Sequence, residues 1–344
     1  MKDKLFGMTL QQLKAVAKQL GLPGFVATQI ADWLYKKQIT SIEQMSNLSL
    51  KARNLLSENY DLGLEAPIKE QVSKDGTKKY LYPAKAGKFI ETAFIPDEHR
   101  ATLCVSSQVG CKMGCLFCMT GKQGFQGHLS VGEILNQLHS LPEREQITNM
   151  VYMGMGEPFD NLENVLTSLE ILTSPWGYAM SSKRITVSSI GIIPGMKEFL
   201  HRSGCHLAIS LHTPFDDERK QLMPIQNVYP IKDVLAEIRT YPLEPQRRIS
   251  FEYIMFKGVN DTPRHVRELI RILSGIECRI NLIRFHPIPG TPLEGSDEAT
   301  IAQFNQALNQ KGIITTTRAS RGLDIYAACG MLSTKELVKK DEVD

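Results

Sequence analysis

Apolar positions in the first sixty residues recur at helical spacing. Leu10, Leu13, Val16, Ala17 and Leu20 form one stripe, and the run Gly21-Leu22-Pro23-Gly24 ends it. A second helix is expected over 27–37 and a shorter third over Leu50–Asn59. Two short amphipathic helices joined by a tight turn make a compact unit that either docks on a nucleic-acid backbone or caps a larger domain. From about residue 66 the period falls to two. Short β-branched or aromatic runs at 79–82, 88–95 and 101–106 are separated by Pro83, Gly87 and Pro96.

Beyond residue 118 the two periods alternate. Strand-like runs at 150–153, 184–187, His206–Ser210, Ile249–Met255 and 279–283 are interleaved with helical patterns at 131–141, 162–172, Ile231–Thr240 and Pro263–Leu273. With the strand at 101–106 this makes six β/α units and therefore a parallel sheet. A complete eight-unit barrel takes about 250 residues, whereas roughly 230 are available here. The expected fold is α/β: a partial (β/α)6 barrel over 97–330, preceded by a helical domain at 1–60 and a β-rich extension at 61–96, and followed by a charged tail at 331–344. Chemistry in such sheets belongs at the C-terminal ends of the strands. Gly156-Glu157-Pro158, Ser188-Ser189, Ser210-Leu211-His212 and His286-Pro287 all fall there.

Composition changes this picture little. The chain has 344 residues, 42% hydrophobic and 22% charged, and no apolar run approaches the ~18 residues of a membrane span. Lys14 and Lys18 interrupt any secretory apolar segment, so a cytoplasmic, membrane-free protein is expected. A net charge of +3 does not diagnose nucleic-acid binding, but it permits a polyanionic partner if cations cluster. Short candidates are Lys78 with Lys79, Arg247 with Arg248, and Arg318 with Arg321.

The cysteines add more. Four of seven fall in CVSSQVGCKMGCLFC, and Cys111, Cys115 and Cys118 make a CxxxCxxC triplet. Three thiolates are one short of the four that close a zinc site or an iron–sulfur cluster, so an iron held by them keeps a position open. Zinc with a fourth ligand from His128 or Cys104, packed structural thiols, and a [4Fe–4S] cluster with an open iron are the three explanations. Read as residues alone, Cys104 and Cys329 are equally compatible with packed core thiols. Glu91 is compatible with a strand-face carboxylate in an ion pair. Cys205 and Cys278 read as core thiols, and His99, His139, His201 and His265 as surface residues.

The triplet after the first barrel strand, with Phe117 before its last cysteine and the GEP run at 156–158, resembles the radical S-adenosylmethionine superfamily. CVSSQVGC, GKQGF at 121–125, SLH at 210–212 and AACG at 327–330 resemble, more narrowly, the RlmN family of dual-specificity RNA methyltransferases. That resemblance covers nearly the whole chain. It implies a [4Fe–4S] cluster on Cys111, Cys115 and Cys118, whose open iron binds S-adenosylmethionine, with two S-adenosylmethionine molecules used per turnover. It also implies methylation at C2 of an adenine in 23S rRNA and of the adenine next to the anticodon in tRNA.

C2 of adenine is electrophilic, so direct transfer from a sulfonium is closed to it and the resemblance implies a relay. Cys329 takes a methyl group from the first cofactor, a radical from the second removes hydrogen from that methyl, and Cys104 resolves the resulting protein–RNA adduct as a disulfide. Glu91 matches the family's acid–base glutamate. Gly156, Glu157, Ser188, Ser210, Leu211 and His212 match cofactor contacts, while His286 stands where the family usually has asparagine. A low-potential, flavodoxin-like electron donor, a disulfide reductant and a monomeric state are further expectations. The nearest rival is the Cfr type, which methylates C8 of the same adenine. Val109 speaks against it, since Cfr-type proteins usually carry a cysteine there.

Overall fold

The computed structural model describes residues 2–242 and 245–334. Ten strands form one sheet whose spatial order follows the chain order throughout. Strands β1 (Lys69–Val72), β2 (Lys78–Ala84) and β3 (Lys88–Asp97) make an antiparallel meander that pairs onto β4 (Arg100–Cys104). From β4 the pairing is parallel through β5 (Asn149–Tyr152), β6 (Ile185–Ser189), β7 (His206–Ser210), β8 (Ile249–Met255), β9 (Cys278–Arg284) and β10 (Ile314–Thr317).

The expected partial barrel is therefore present, with six β/α units followed by a seventh parallel strand. That last strand was not legible because its sequence, ITTT, is polar and its Ile314 is exposed. The crossover Ile193–Arg202 was also missed; it is a helix with Pro194 in its first turn, where the absent N–H loses nothing.

Alternation along the strands sorts two environments. Leu103, Met150, Val187, Leu207, Phe251, Ile280 and Leu282 pack outward in the continuous core beneath the helices. The alternate positions, Thr102, Thr186, Ser250, Asn281 and Thr316, face inward and line a cavity of about 530 Å³. Because the inward face is polar, the barrel holds space rather than a packed core.

The N-terminal helices are α1 (Leu10–Gln19), α2 (Phe25–Ala31, continued by a π turn over Asp32–Lys36) and α3 (Leu50–Asn59). A capping box between Thr9 and Gln12 starts α1, and Leu13, Val16 and Ala17 form its buried stripe. Asp3–Lys4 pairs in parallel with Tyr60–Asp61, tying the two ends of this unit together.

His139 was expected on the surface, yet it is buried where this unit meets the barrel. Its Nε2 lies 3.3 Å from the Ile39 carbonyl and its Nδ1 3.1 Å from the Tyr178 hydroxyl, and Phe6 packs on its ring edge. Burial pushes its pKa down to about 4, so the ring is a neutral linker. His265 is likewise buried; it closes the start of helix Pro263–Leu273 through Thr262 and meets Glu218 at 2.9 Å. Partnered imidazoles at helix termini look like surface histidines in one dimension. Cys205 is buried, as expected of a core thiol, and Cys278 packs half-buried at the core's edge.

The cation pairs singled out in the sequence are mostly spent internally. Lys78 bridges Glu70 and Glu143, Lys79 is buried against Glu91, and Arg247 donates to the carbonyls of Cys205 and Leu200. Among the described residues, no helix is long and apolar enough to cross a membrane.

Candidate active site

Strand β4 ends at Cys104, and the chain then turns into the loop that carries the triplet. Gly110, at φ +71°, closes this loop against the carbonyl of Gly124, where a Cβ would lie 1.7 Å from the oxygen. Backbone bonds hold the loop, three of them around the triplet's last two cysteines. Leu116 N–H donates to Leu222, Cys118 N–H to Cys115, and Met119 N–H to Gly330, which brings the Cys329 segment against the triplet.

Cys111, Cys115 and Cys118 line one pocket of about 150 Å³ together with Gly156, Glu157, Ser188, Ser210, His212 and Cys329. Residues gathered from five segments of the chain thus meet at the C-terminal ends of the strands. Burial pushes the Cys111 thiol up to about 12 and Cys115 well above the usual range, and the neighbouring thiols add to this. A cationic iron centre reverses that sign, since a metal-bound thiol gives up its proton. Among the described residues, no group of three such side chains forms a site for a single metal ion. A cluster asks for a wider triangle, because several irons separate its thiolates. The donor set and its apolar surround of Met113, Phe117, Ile254 and Phe256 fit such a group.

Glu157 sits at the pocket wall, 3% exposed. Its Oε1 accepts from Phe159 N–H at 3.0 Å and its Oε2 from Ile190 N–H at 3.0 Å. Burial nevertheless wins over these bonds and raises its pKa to about 7. A buried carboxylate of this kind favours an incoming ammonium group. Gly156, at φ +98°, passes so close to Gln108 that a Cβ would lie 2.5 Å from the Gln108 Cβ.

His212 is buried with its Nδ1 accepting from Ile254 N–H at 3.0 Å, and burial pushes its pKa down to about 3. It is therefore a neutral ring with its proton on Nε2. Its φ of +58° is held by Asn260, which donates to the carbonyls of His212 and Ile254 at 2.6 Å each.

Behind the pocket, Arg219 is fully buried. It donates to Gln226 Oε1 at 2.7 Å and to the carbonyls of Ile190 and Ser210 at 2.9 and 3.1 Å, and burial pushes its pKa down to about 10. It fixes the ends of two strands. Arg219→Leu is expected to lower the urea midpoint by an amount equal to about 2–4 kcal/mol, because buried carbonyls lose their partner.

Cys104 and Cys329 line the larger, 530 Å³ cavity, and Cys329 opens to both spaces. Burial pushes Cys104 up to about 12, with Cys329 as the next contributor. Cys329 is exposed as a residue, in contrast to Cys104; the protein around its sulfur raises the thiol pKa, and Arg318 pulls it back. Arg318, noted in the sequence only as part of a charge pair, stands 3.2 Å from Glu252 and in the electrostatic reach of both thiols. Its role was not legible, since it belongs to the unrecognised seventh strand's exit.

The segment carrying Cys329 is anchored to the turn between β1 and β2. Gly322 N–H donates to Asp75 at 2.9 Å, and Lys74 N–H donates to Asp324 at 3.1 Å. Burial raises Asp75, but its bonds from Gly322 and Thr77 outweigh that and leave it at about 2.

Besides Cys104, three sequence candidates lie outside the smaller pocket. The Leu211 side chain packs in the main core, and its N–H donates to Glu252, so only its backbone borders the strand ends. His286 lines the larger cavity instead, its Nε2 2.7 Å from Ser320 Oγ, with burial and then Arg284 lowering its pKa. Glu91 lines neither space. It is 1% exposed, 2.9 Å from Lys79 Nζ, and accepts from Ser333 N–H at 2.9 Å. With Thr120 and Gln123 it holds residues 331–334, the first of the expected tail, against the site. Residues 335–344 lie outside those described.

The sheet, the triplet loop and the Glu157 wall define a radical S-adenosylmethionine enzyme, and the Radical SAM superfamily model matches residues 105–271. The ribosomal RNA large subunit methyltransferase N-terminal domain matches residues 4–62. A probable dual-specificity RNA methyltransferase RlmN of Bacteroides thetaiotaomicron is 56% identical over 97% of this chain and 96% of its own. The dual-specificity RNA methyltransferase RlmN of Desulfotalea psychrophila is 43% identical over 98% and 97%. The crystal structure of a radical SAM methyltransferase from Sphaerobacter thermophilus superposes with a TM-score of 0.90 at 38% identity, covering 96% of this chain and 99% of that one. The chain belongs to the RlmN family of radical SAM methyltransferases.

Proposed function

We propose that this protein methylates C2 of an adenine in 23S rRNA and of the adenine next to the anticodon in tRNA, with Cys329 carrying the methyl group and Cys104 resolving the adduct. The observation that carries the reading is the shared cavity. Two thiols far apart in sequence border one space, and one of them also borders the triplet's pocket.

Cys111, Cys115 and Cys118 would hold a [4Fe–4S] cluster, which with S-adenosylmethionine supplies one-electron cleavage of a sulfonium and a species able to remove hydrogen from a methyl group. Two cofactor molecules are used per turnover, one as methyl source and one as radical source. Glu157 receives the cofactor's ammonium, while Ser188, Ser210 and the Nε2–H of His212 supply further polar contacts. Arg318 favours the thiolates of Cys329 and Cys104, offsetting the burial that otherwise keeps them protonated. Glu91, as acid–base group, would act from its ion pair with Lys79 after the 331–334 segment moves.

The target base must leave its stack to reach this depth. Residues 1–60 act as an RNA-binding unit in this reading. A flavodoxin-like donor and a disulfide reductant complete the cycle of a cytoplasmic monomer.

The test is mass spectrometry of 23S rRNA and tRNA treated with anaerobically reconstituted enzyme. Adenine methylated at C2 is expected; methylation at C8, as in the Cfr type, would overturn the assignment.

A further inference from the structure

The parallel strands carry a second pattern at the end away from the thiols. Arg184, His206, Arg248 and Arg279 stand at the beginnings of four neighbouring strands, β6 to β9, and Arg100 begins β4. All five line the floor of the 530 Å³ cavity whose other end holds Cys104 and Cys329. Thr186 is paired with His206 and Ser250 with Arg279, so from β6 to β9 the basic residues climb in register, Arg184 two residues below His206 and Arg248 two below Arg279, on strands about 4.8 Å apart.

The charge here is one-sided. Among the described residues, seven arginines and no lysine line the cavity, and Asp97, its one acidic lining residue, is engaged with Arg321 at 3.5 Å. Arg100, Arg184, Arg248 and Arg279 form no ion pair with a described carboxylate. Arg100, Arg184 and Arg248 are exposed and Arg279 half-buried, so water screens their mutual repulsion and leaves the guanidinium groups open to an anion. His206 reports the same field, for burial and then Arg248 lower its pKa.

Guanidinium groups lining one recess, with the Thr186 and Ser250 hydroxyls two residues along from Arg184 and Arg248 on the same strand faces, supply the multiple donors that a phosphate's oxygens accept from. We propose that this N-terminal mouth of the barrel is a phosphate-binding site, separate from the methyl-transfer end of the same cavity. Its phosphate belongs either to an RNA strand or to a free species such as pyrophosphate.

The site is tested on the full chain by thermal melting and calorimetric titration with pyrophosphate, against chloride at equal ionic strength. Pyrophosphate is expected to raise the melting temperature with saturation. The triple variant Arg184→Gln, Arg248→Gln, Arg279→Gln is expected to bind at least about tenfold more weakly, since each lost guanidinium removes charge-assisted bonds. In phosphate-free buffer it should melt within about a degree or two of the parent, because these exposed and half-buried side chains make no described ion pair. The single variant Arg248→Gln, with an intermediate loss, guards against a folding defect in the triple. Substrate RNA that displaces pyrophosphate identifies the phosphate as RNA-borne, and simultaneous binding identifies a free anion. Equal stabilisation of parent and triple variant by pyrophosphate, or equal stabilisation by chloride, overturns the site.

Discussion

Cys104→Ala is expected to leave the protein covalently joined to its RNA, with turnover reduced by about a thousandfold or more, the scale of losing a covalent catalytic group. The expectation comes from the position of the thiol. Cys104 is 8% exposed, packed with Ala93, Ile325 and Ala327, and borders the cavity that Cys329 enters. A thioether carbon–sulfur bond does not hydrolyse readily in water, so a second thiol at this place is the available route for breaking it. Burial holds Cys104 near 12, and Arg318 is the cation that draws both thiols toward the reactive thiolate. Cys329→Ala should remove methylation without trapping RNA, because no methyl carrier forms. Cys205→Ala should change neither, since Cys205 lies in the main core. Denaturing gel shift of labelled RNA, with and without nuclease, distinguishes the three variants. Freely turning-over Cys104→Ala enzyme would remove the resolving role.

Legibility followed local spacing. The triplet, GEP and SLH runs are each short enough to be read directly, and folding brings Cys111, Cys115, Cys118, Glu157, Ser210 and His212 to one pocket. The six β/α units were legible because their apolar strands face the helices. The seventh strand was not, since a polar lumen gives ITTT no apolar signal.

What could not be read is set by contacts between distant segments. Glu91 pairs with Lys79 across the β2–β3 ladder and caps Ser333, and no spacing rule links those three positions. Arg219 looks like one more charge on an acidic helix, yet it is buried on the carbonyls of Ile190 and Ser210. The arginines that open the strands are a period-two signal. It is visible in RITVSS and RRISFE once the inward face of the sheet is known, and it is ambiguous before that.

Glu157 is expected to give the ligand-free protein a pH-dependent stability that Glu157→Gln abolishes. Its pKa is raised by burial from 4.5 to about 7 in the folded protein. Below about pH 4.5 both folded and unfolded chains hold the proton, and the group contributes no difference. Between 4.5 and 7 the unfolded chain ionises first and is favoured, so folding stability falls as pH rises; above 7 both are ionised and the loss is complete. At about 1.4 kcal/mol per tenfold change, that loss is roughly 3 kcal/mol. Urea midpoints measured at pH 5 and pH 8 should therefore differ in the parent through this group and converge in the variant. Binding of S-adenosylmethionine should show the opposite trend, because its ammonium prefers the carboxylate: affinity falls about tenfold per pH unit below 7 in the parent. In Glu157→Gln it should be flat with pH and about 10- to 100-fold weaker at pH 8, the range of one lost charge-assisted bond. An unchanged stability slope in the variant would show that the buried carboxylate is not the titrating group, whatever the binding data give.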